Sequence, residues 1–302
     1  MPADVAAIQP QLVALPAPIF VLATRPAGTA LAGAMIGRNP AAFELPQLNL
    51  FVSDTLEGMG RTLLDPVQNH GLLRALAYLY GSEQTIISIG MARRWVFRRL
   101  SWSTIQVFDE LRGRVAPRRL VDKSAIYTQN TKCLERIRRA FPDAYYVHVV
   151  EHPLAGGEVN VSVERDGGLV AGDRDAEGEN PAGNQLRWLN GQRLISEAMN
   201  HVAPERLTVL KIESLLTNPR AELSNLCARL ELQHDEAAIA EMLHPEHSPF
   251  ASFGPVGANL GDDPAFLRDP TFPPKSEPVS ARQNGKPMLA EVAQFAARYG
   301  YE

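Results

Sequence analysis

The sequence predicts an α/β fold, a parallel sheet flanked by helices, and two observations carry that expectation. Short apolar runs of strand length at 19–22, 119–122, 145–150 and 207–212 alternate with helical segments near 128–140, 184–202 and 219–230. Strands that alternate with helices pair in parallel, with both sheet faces covered. The window 18–31, PIFVLATRPAGTAL, adds a buried strand, a turn containing Pro26 and Gly28, and a helix start. Such a turn gathers backbone N–H groups at a helix N-terminus, where the dipole favours an anion. The turn has no glycine run and no GKS or GKT, so it is neither a Walker loop nor a dinucleotide fingerprint.

The remaining elements follow in order. Residues 1–16 form a loose arm, and 17–302 are expected to be a single domain, since 302 residues can bury one large core. Within it, 17–53 run as strand, loop, helix and extended segment. Residues 54–115 are helical, with Arg93, Arg94, Arg98 and Arg99 interleaved with Trp95, Phe97 and Trp102. The Gly- and Asp-rich stretch 166–183 is a mobile acidic loop. The proline-rich stretch 245–287 has little periodicity and forms an irregular wrap or lid over the sheet's active edge.

Composition narrows the class. Apolar residues make up 45% and charged residues 21%, as in ordinary soluble proteins, and the net charge of −4 argues against a general nucleic-acid binder. Cys133 and Cys227 lack metal-ligand spacing and suit reduced core thiols. The N-terminus has no basic n-region, and Arg25 interrupts the longest apolar run, so a cytoplasmic chain without a membrane span is expected. Charge is uneven. Residues 91–139 hold thirteen Lys or Arg against four acids, whereas 151–182 hold eight acids against two Arg. The basic stretch is a solvated helix face, a docking surface for an acidic partner such as a carrier protein, or, least favoured, a nucleic-acid contact. His244 and His247 resemble a metal pair, but no third ligand is evident in the sequence, so no metal is expected.

Several segments together resemble one family. They are Arg25-Pro26-Ala27-Gly28-Thr29-Ala30 after the first strand, Leu120-Val121-Asp122-Lys123-Ser124-Ala125, and Phe141-Pro142-Asp143-Ala144 leading through a strand to Glu151-His152-Pro153. A strand leading into Glu213-Ser214-Leu215-Leu216-Thr217-Asn218-Pro219 completes the set. In order and spacing across about 16–235 these resemble the PAPS-dependent sulfotransferases, closest in flavour to the bacterial sulfotransferase domains of polyketide and peptide synthetase systems. The resemblance implies a sulfotransferase-like, P-loop-type fold with an irregular C-terminal lid, and PAPS as cofactor.

The resemblance also assigns roles, residue by residue. The family's loop cation falls on Pro26, with Arg25 one place earlier and able to reach in. Its loop hydroxyls fall on Ala27 and Ala30, leaving Gly28 and Thr29 to hold an anion through the backbone. Its 3′-phosphate arginine falls on Glu151, and the serine that follows falls on Val159, with Ser162 three residues on. Arg165 or Lys286 could compensate. The general base of related branches falls on Gln47, which cannot accept a proton at neutral pH. Lys123 is retained, either polarising an oxygen or serving structure. Glu151 and His152 lie where ligands bind in such sheets and could act as acid and base. His148, in mid-strand, suits a buried core histidine.

Three functions stay open. The first is a repurposed enzyme with an eroded PAPS site, acting on an acyl or peptidyl natural-product intermediate that is free or carrier-bound. The second is an active PAPS-dependent sulfotransferase acting on a hydroxyl or amine. The third is a non-catalytic binding protein using the basic region. None involves nucleic acid or membrane, and the oligomeric state is open.

Overall fold

A computed structural model describes residues 14–154, 160–163, 169–172, 181–273 and 287–301. Its centre is a five-stranded, all-parallel sheet. The strands are β1 (Ile19–Leu22), β2 (Ala42–Glu44), β3 (Arg119–Asp122), β4 (Tyr145–Val150) and β7 (Leu207–Lys211), in the order β2-β3-β1-β4-β7. β1 is the middle strand, with Ile19 opposite both Val121 and Tyr145. Two further strands, β5 (Asn160–Val163) and β6 (Leu169–Gly172), form a separate antiparallel pair. The sequence reading expected a loop over part of that hairpin. The arm residues 1–13, most of 166–183, and Val159, Arg165 and Lys286 lie outside the described residues.

Every residue of β1 and β4 is buried. Side chains alternate across a strand, so Phe20 and Leu22 point into one apolar cluster while Ile19 and Val21 point into the other. Phe20 packs against the rings of Phe51, Phe108, Phe141 and Tyr146, with centroids 5.5–6.0 Å apart. The helices are placed by their caps. α1 (Pro26–Gly37) starts with Pro26, whose fixed φ and missing N–H suit the first turn. α2 (Leu56–Thr62) is capped by Thr55. α4 (Ile86–Phe97) and α5 (Thr104–Val115) start in capping boxes at Thr85/Ser88 and Ser103/Gln106. α3 (His70–Gly81) packs against α4. α6 (Thr131–Ala140) and α7 (Pro181–Met199) cover the sheet beside Tyr146, and α8 (Ile212–Thr217), α9 (Pro219–Arg229) and α10 (Glu236–Met242) lie toward the opposite face.

The described part of the stretch after α10, up to residue 273, carries α11 (Pro264–Arg268). One buried side chain, Arg74 of α3, helps to hold it. Arg74 donates to the carbonyls of Leu260 (3.1 Å) and Ser252 (2.8 Å) and to Gln84 Oε1 (2.6 Å). α12 (Ala290–Ala296) closes the chain against α7. No helix among the described residues is long and apolar enough to cross a membrane.

Candidate functional site

The connection after β1 runs to β2 on one side of the sheet, while its neighbour β4 is followed by β7 on the other, so a crevice opens beyond the C-terminal ends of these two strands. A cleft of about 310 Å³ lies there, lined by Thr24, Arg25, Thr128, Gln129, Asn184, Arg187, Trp188, Asn190, Gly191 and Leu194. The loop after β1 supplies Thr24 and Arg25, the 3₁₀ turn Ala125–Gln129 supplies Thr128 and Gln129, and α7 supplies the rest. Gly191 lets α7 come this close, since a Cβ there would stand 2.7 Å from Thr24 Cγ2. A larger cleft of about 480 Å³ between α7 and α12 touches none of the residues that follow β1. The smaller one is therefore the candidate site.

Two cations, Arg25 and Arg187, share this cleft with amide and hydroxyl groups, which suits an anionic or strongly polar ligand. At its edge Arg25 Nε lies 3.1 Å from Glu151 Oε1, with only 16% of the Glu151 side chain exposed. Burial raises the Glu151 pKa; Arg25 pulls it back, and the nearby Glu213 adds to the rise. Trp188 Nε1 donates to the Glu151 carbonyl at 3.0 Å and so ties α7 to the end of β4.

The other sequence candidates are placed differently. Gly28 and Thr29 are buried in the first turn of α1, where the Thr29 hydroxyl donates back to the Pro26 carbonyl at 2.7 Å. The N-cap residue of that helix, Arg25, makes no side-chain capping hydrogen bond. His152 is buried, and its Nδ1 accepts from the Leu154 N–H. Its ring stands edge-on to Tyr301 at 5.2 Å. Its own N–H donates to Glu213 Oε1 (2.7 Å), whose other oxygen accepts from the Tyr301 hydroxyl at 2.8 Å. Lys123 is fully buried, with its ammonium 2.8 Å from Glu44 and 2.6 Å from Asp262. Burial alone would lower its pKa, but those two carboxylates outweigh it and hold it above the usual lysine value. Gln47 is half-buried, and its N–H donates to the Gly261 carbonyl, away from the cleft lining. Ser162 lies on β5 opposite Val170, with its side chain outside the described residues.

The structure thus brings Arg25 and Glu151 together and sets Lys123, Gln47 and His152 into other contacts. Sequence reasoning missed Thr128, Asn184, Arg187 and Asn190. A glycine in mid-helix was the available signal, since Gly191 marks a close backbone approach. The third partner for His244 and His247 was missed as well. Glu246 stands beside them, and one ligand atom from each of the three lies within 4.8 Å of the others.

Comparison with known proteins places this architecture. The chain superposes on the sulfotransferase domain from the curacin biosynthetic pathway with a TM-score of 0.74 and 24% identity, covering 95% of this chain and 99% of that one. It superposes on the sulfotransferase domain from the Synechococcus PCC 7002 olefin synthase with a TM-score of 0.72 and 23% identity, covering 94% of each. No curated protein matches. A sulfotransferase family model matches residues 18–236, from the strand before the Arg25 loop to the start of α10. With that model spanning the central sheet and most of its helices, the chain belongs to the sulfotransferase family.

Proposed function

We propose that the chain is an enzyme of the sulfotransferase fold whose PAPS site is eroded, and that it performs acid–base chemistry on an acyl or peptidyl natural-product intermediate. The Arg25–Glu151 ion pair carries this reading. The family resemblance calls for an arginine at position 151 to grip a 3′-phosphate, and here a carboxylate takes that place and engages the loop cation. A unit charge pair at about 4 Å is worth about 4 kcal/mol at an effective dielectric near 20. Reversing the sign of one partner would therefore cost a nucleotide several orders of magnitude in affinity. Pro26 offers no N–H, and the Thr29 hydroxyl is turned into its own helix. The residues present do not fit PAPS in the family's manner. Glu151, with its pKa raised by burial, can accept and return a proton, and Arg25 steadies the negative charge. Elimination, cyclisation or hydrolysis would use such a pair.

A carrier-borne substrate is supported by α4. Ile86, Ile87, Met91 and Phe97 are between 52% and 74% exposed, and Arg94 and Arg98 share that outer face. An apolar strip with arginines suits an acidic helical partner. Both structural relatives are domains of biosynthetic systems, which agrees with a natural-product intermediate.

The second reading, an active PAPS-dependent sulfotransferase, is favoured by family membership and by the two arginines, Arg25 and Arg187, that line the cleft after β1. Calorimetric titration with PAP, the desulfated nucleotide, separates the two. The eroded-site reading expects no binding at millimolar PAP, and measurable binding in Glu151→Gln, where the repelling carboxylate charge is removed. Micromolar binding by the unaltered chain would establish the second reading instead.

A further inference from the structure

The turn after α10 gathers three metal-ligating side chains remote in sequence from the Arg25 cleft. His244 is followed by the 3₁₀ turn Pro245–His247. A 3₁₀ turn has three residues per turn, so residues i and i+3 eclipse. Accordingly the rings of His244 and His247 stack, with centroids 5.0 Å apart and planes 16° from parallel. Pro245 pre-sets the first residue of the turn. Glu246 folds back to the same place, its Oε1 lying 2.9 Å from His244 Nδ1. Its Oε2 is buried and, among the described residues, has no hydrogen-bond partner. The neighbouring guanidinium of Arg38 donates to the His247 carbonyl, but its charge is met by Glu241 at 2.6 Å.

We propose that His244, Glu246 and His247 form a binding site for a divalent cation of the zinc, nickel and copper class. Two imidazoles and one carboxylate select such ions over magnesium or calcium, which prefer all-oxygen shells. Ligand atoms around a tetrahedral ion lie about 3.4 Å apart at bond lengths near 2.1 Å. The three atoms here, already within 4.8 Å of one another, reach that spacing through side-chain rotation. Three protein ligands leave a fourth position for water. The site also has a structural consequence. Ser248, the next residue, donates its hydroxyl to Glu44, which pairs with Lys123. An ion that fixes the turn therefore clamps the irregular C-terminal stretch onto the β2 edge. This proposal does not depend on what the Arg25 cleft binds.

The test uses the full chain, without a histidine tag and stripped of metal, titrated with Zn²⁺ by calorimetry and with Co²⁺ by visible absorption. The expected result is one ion per chain at micromolar concentration, with a Tm that rises with Zn²⁺ as ligand linkage requires. His244→Ala and His247→Ala should each weaken binding by about tenfold or more, one ligand's share of the affinity. Both histidines are exposed, so the variants should keep the parent circular dichroism spectrum. Absence of saturable binding below millimolar Zn²⁺ would overturn the proposal. So would unchanged binding when His244→Ala and His247→Ala are combined, which would place the ion elsewhere.

Discussion

At the scale of single residues, the chain turns groups with catalytic potential into structural ones. Lys123 follows β3, where the family resemblance places a polarising cation, yet Glu44 and Asp262 enclose its ammonium completely. Removing one member of a buried ion cluster leaves the others charged without compensation. Lys123→Met should therefore cost about 3–5 kcal/mol of stability, read by urea denaturation. A loss well under 1 kcal/mol would show that the cluster contributes little. His148 behaves as a buried core residue: its Nε2 lies 2.7 Å from Gln192 Oε1, and burial pushes its pKa down to about 4. The unfolded chain protonates this histidine near pH 6.5, and the folded chain only near pH 4. The unfolded state thus holds more protons in that window, so stability is present above pH 6.5 and is lost as pH falls toward 4. The effect amounts to about 3 kcal/mol at most, at 1.36 kcal/mol per pKa unit. Thermal melts of His148→Asn between pH 6.5 and 4 should show a shallower decline than the parent, and an identical slope would assign the acid sensitivity to other groups.

At the scale of elements, the basic run of 91–139 divides into two populations. Most of its arginines are used internally. Arg99 lies over the rings of Trp95 and Trp102 at 4.3 and 4.9 Å, Arg112 donates to the Leu15 and Pro16 carbonyls, and Arg119 and Arg136 pair with Glu231 and Asp54. Each buries its stem and keeps its charged end matched, as long cationic side chains tend to do. Arg94 and Arg98 instead share the outer face of α4 with Ile87 and Met91 at helical spacing. If that face docks an acidic carrier, Arg94→Glu with Arg98→Glu should weaken association with a phosphopantetheinylated acyl carrier protein about tenfold or more. The melting temperature should hardly change, because exposed positions usually matter by less than about 0.5 kcal/mol. Equal binding by parent and variant would remove α4 from the docking surface. Sequence periodicity showed helices here, but could not tell a stacked arginine from an exposed one.

At the scale of the whole molecule, the irregular stretch after α10 is tied to the domain by several contacts, among them the Lys123–Asp262 ion pair and the buried Arg74. Its pKa is lowered to about 10 by burial, against the pull of Asp262 and Glu44. Replacing it with Met would strand the Leu260 and Ser252 carbonyls and break the bond to Gln84. Stability should fall by about 4 kcal/mol or more, since three hydrogen bonds to a charged group are lost and each is worth about 1.5–3 kcal/mol. Limited proteolysis should then cut first within 250–262. Unchanged resistance would mean that α11 and the Lys123 cluster hold the stretch unaided. Much of this plan was legible beforehand. β1 and β4 are near-continuous apolar runs because central parallel strands are buried on both faces, whereas β7, at the sheet edge, is only partly buried. β2 escaped notice as a strand of the sheet, because three residues, Ala42–Glu44, carry too little pattern.

The sequence by itself determined the family, the central strands, the loop that follows β1 and the arrival of a carboxylate at position 151. These are local patterns, set by backbone propensity and by burial on a period of two or 3.6 residues. Only the tertiary structure decided which charges meet. Arg25 with Glu151, Lys123 with Glu44 and Asp262, and Arg187 at the mouth of a cleft formed with Thr24 are contacts across long stretches of chain. A charge acts over a few ångströms of space, whatever its separation in sequence, so its partner and its role were fixed only when the helices closed on the sheet.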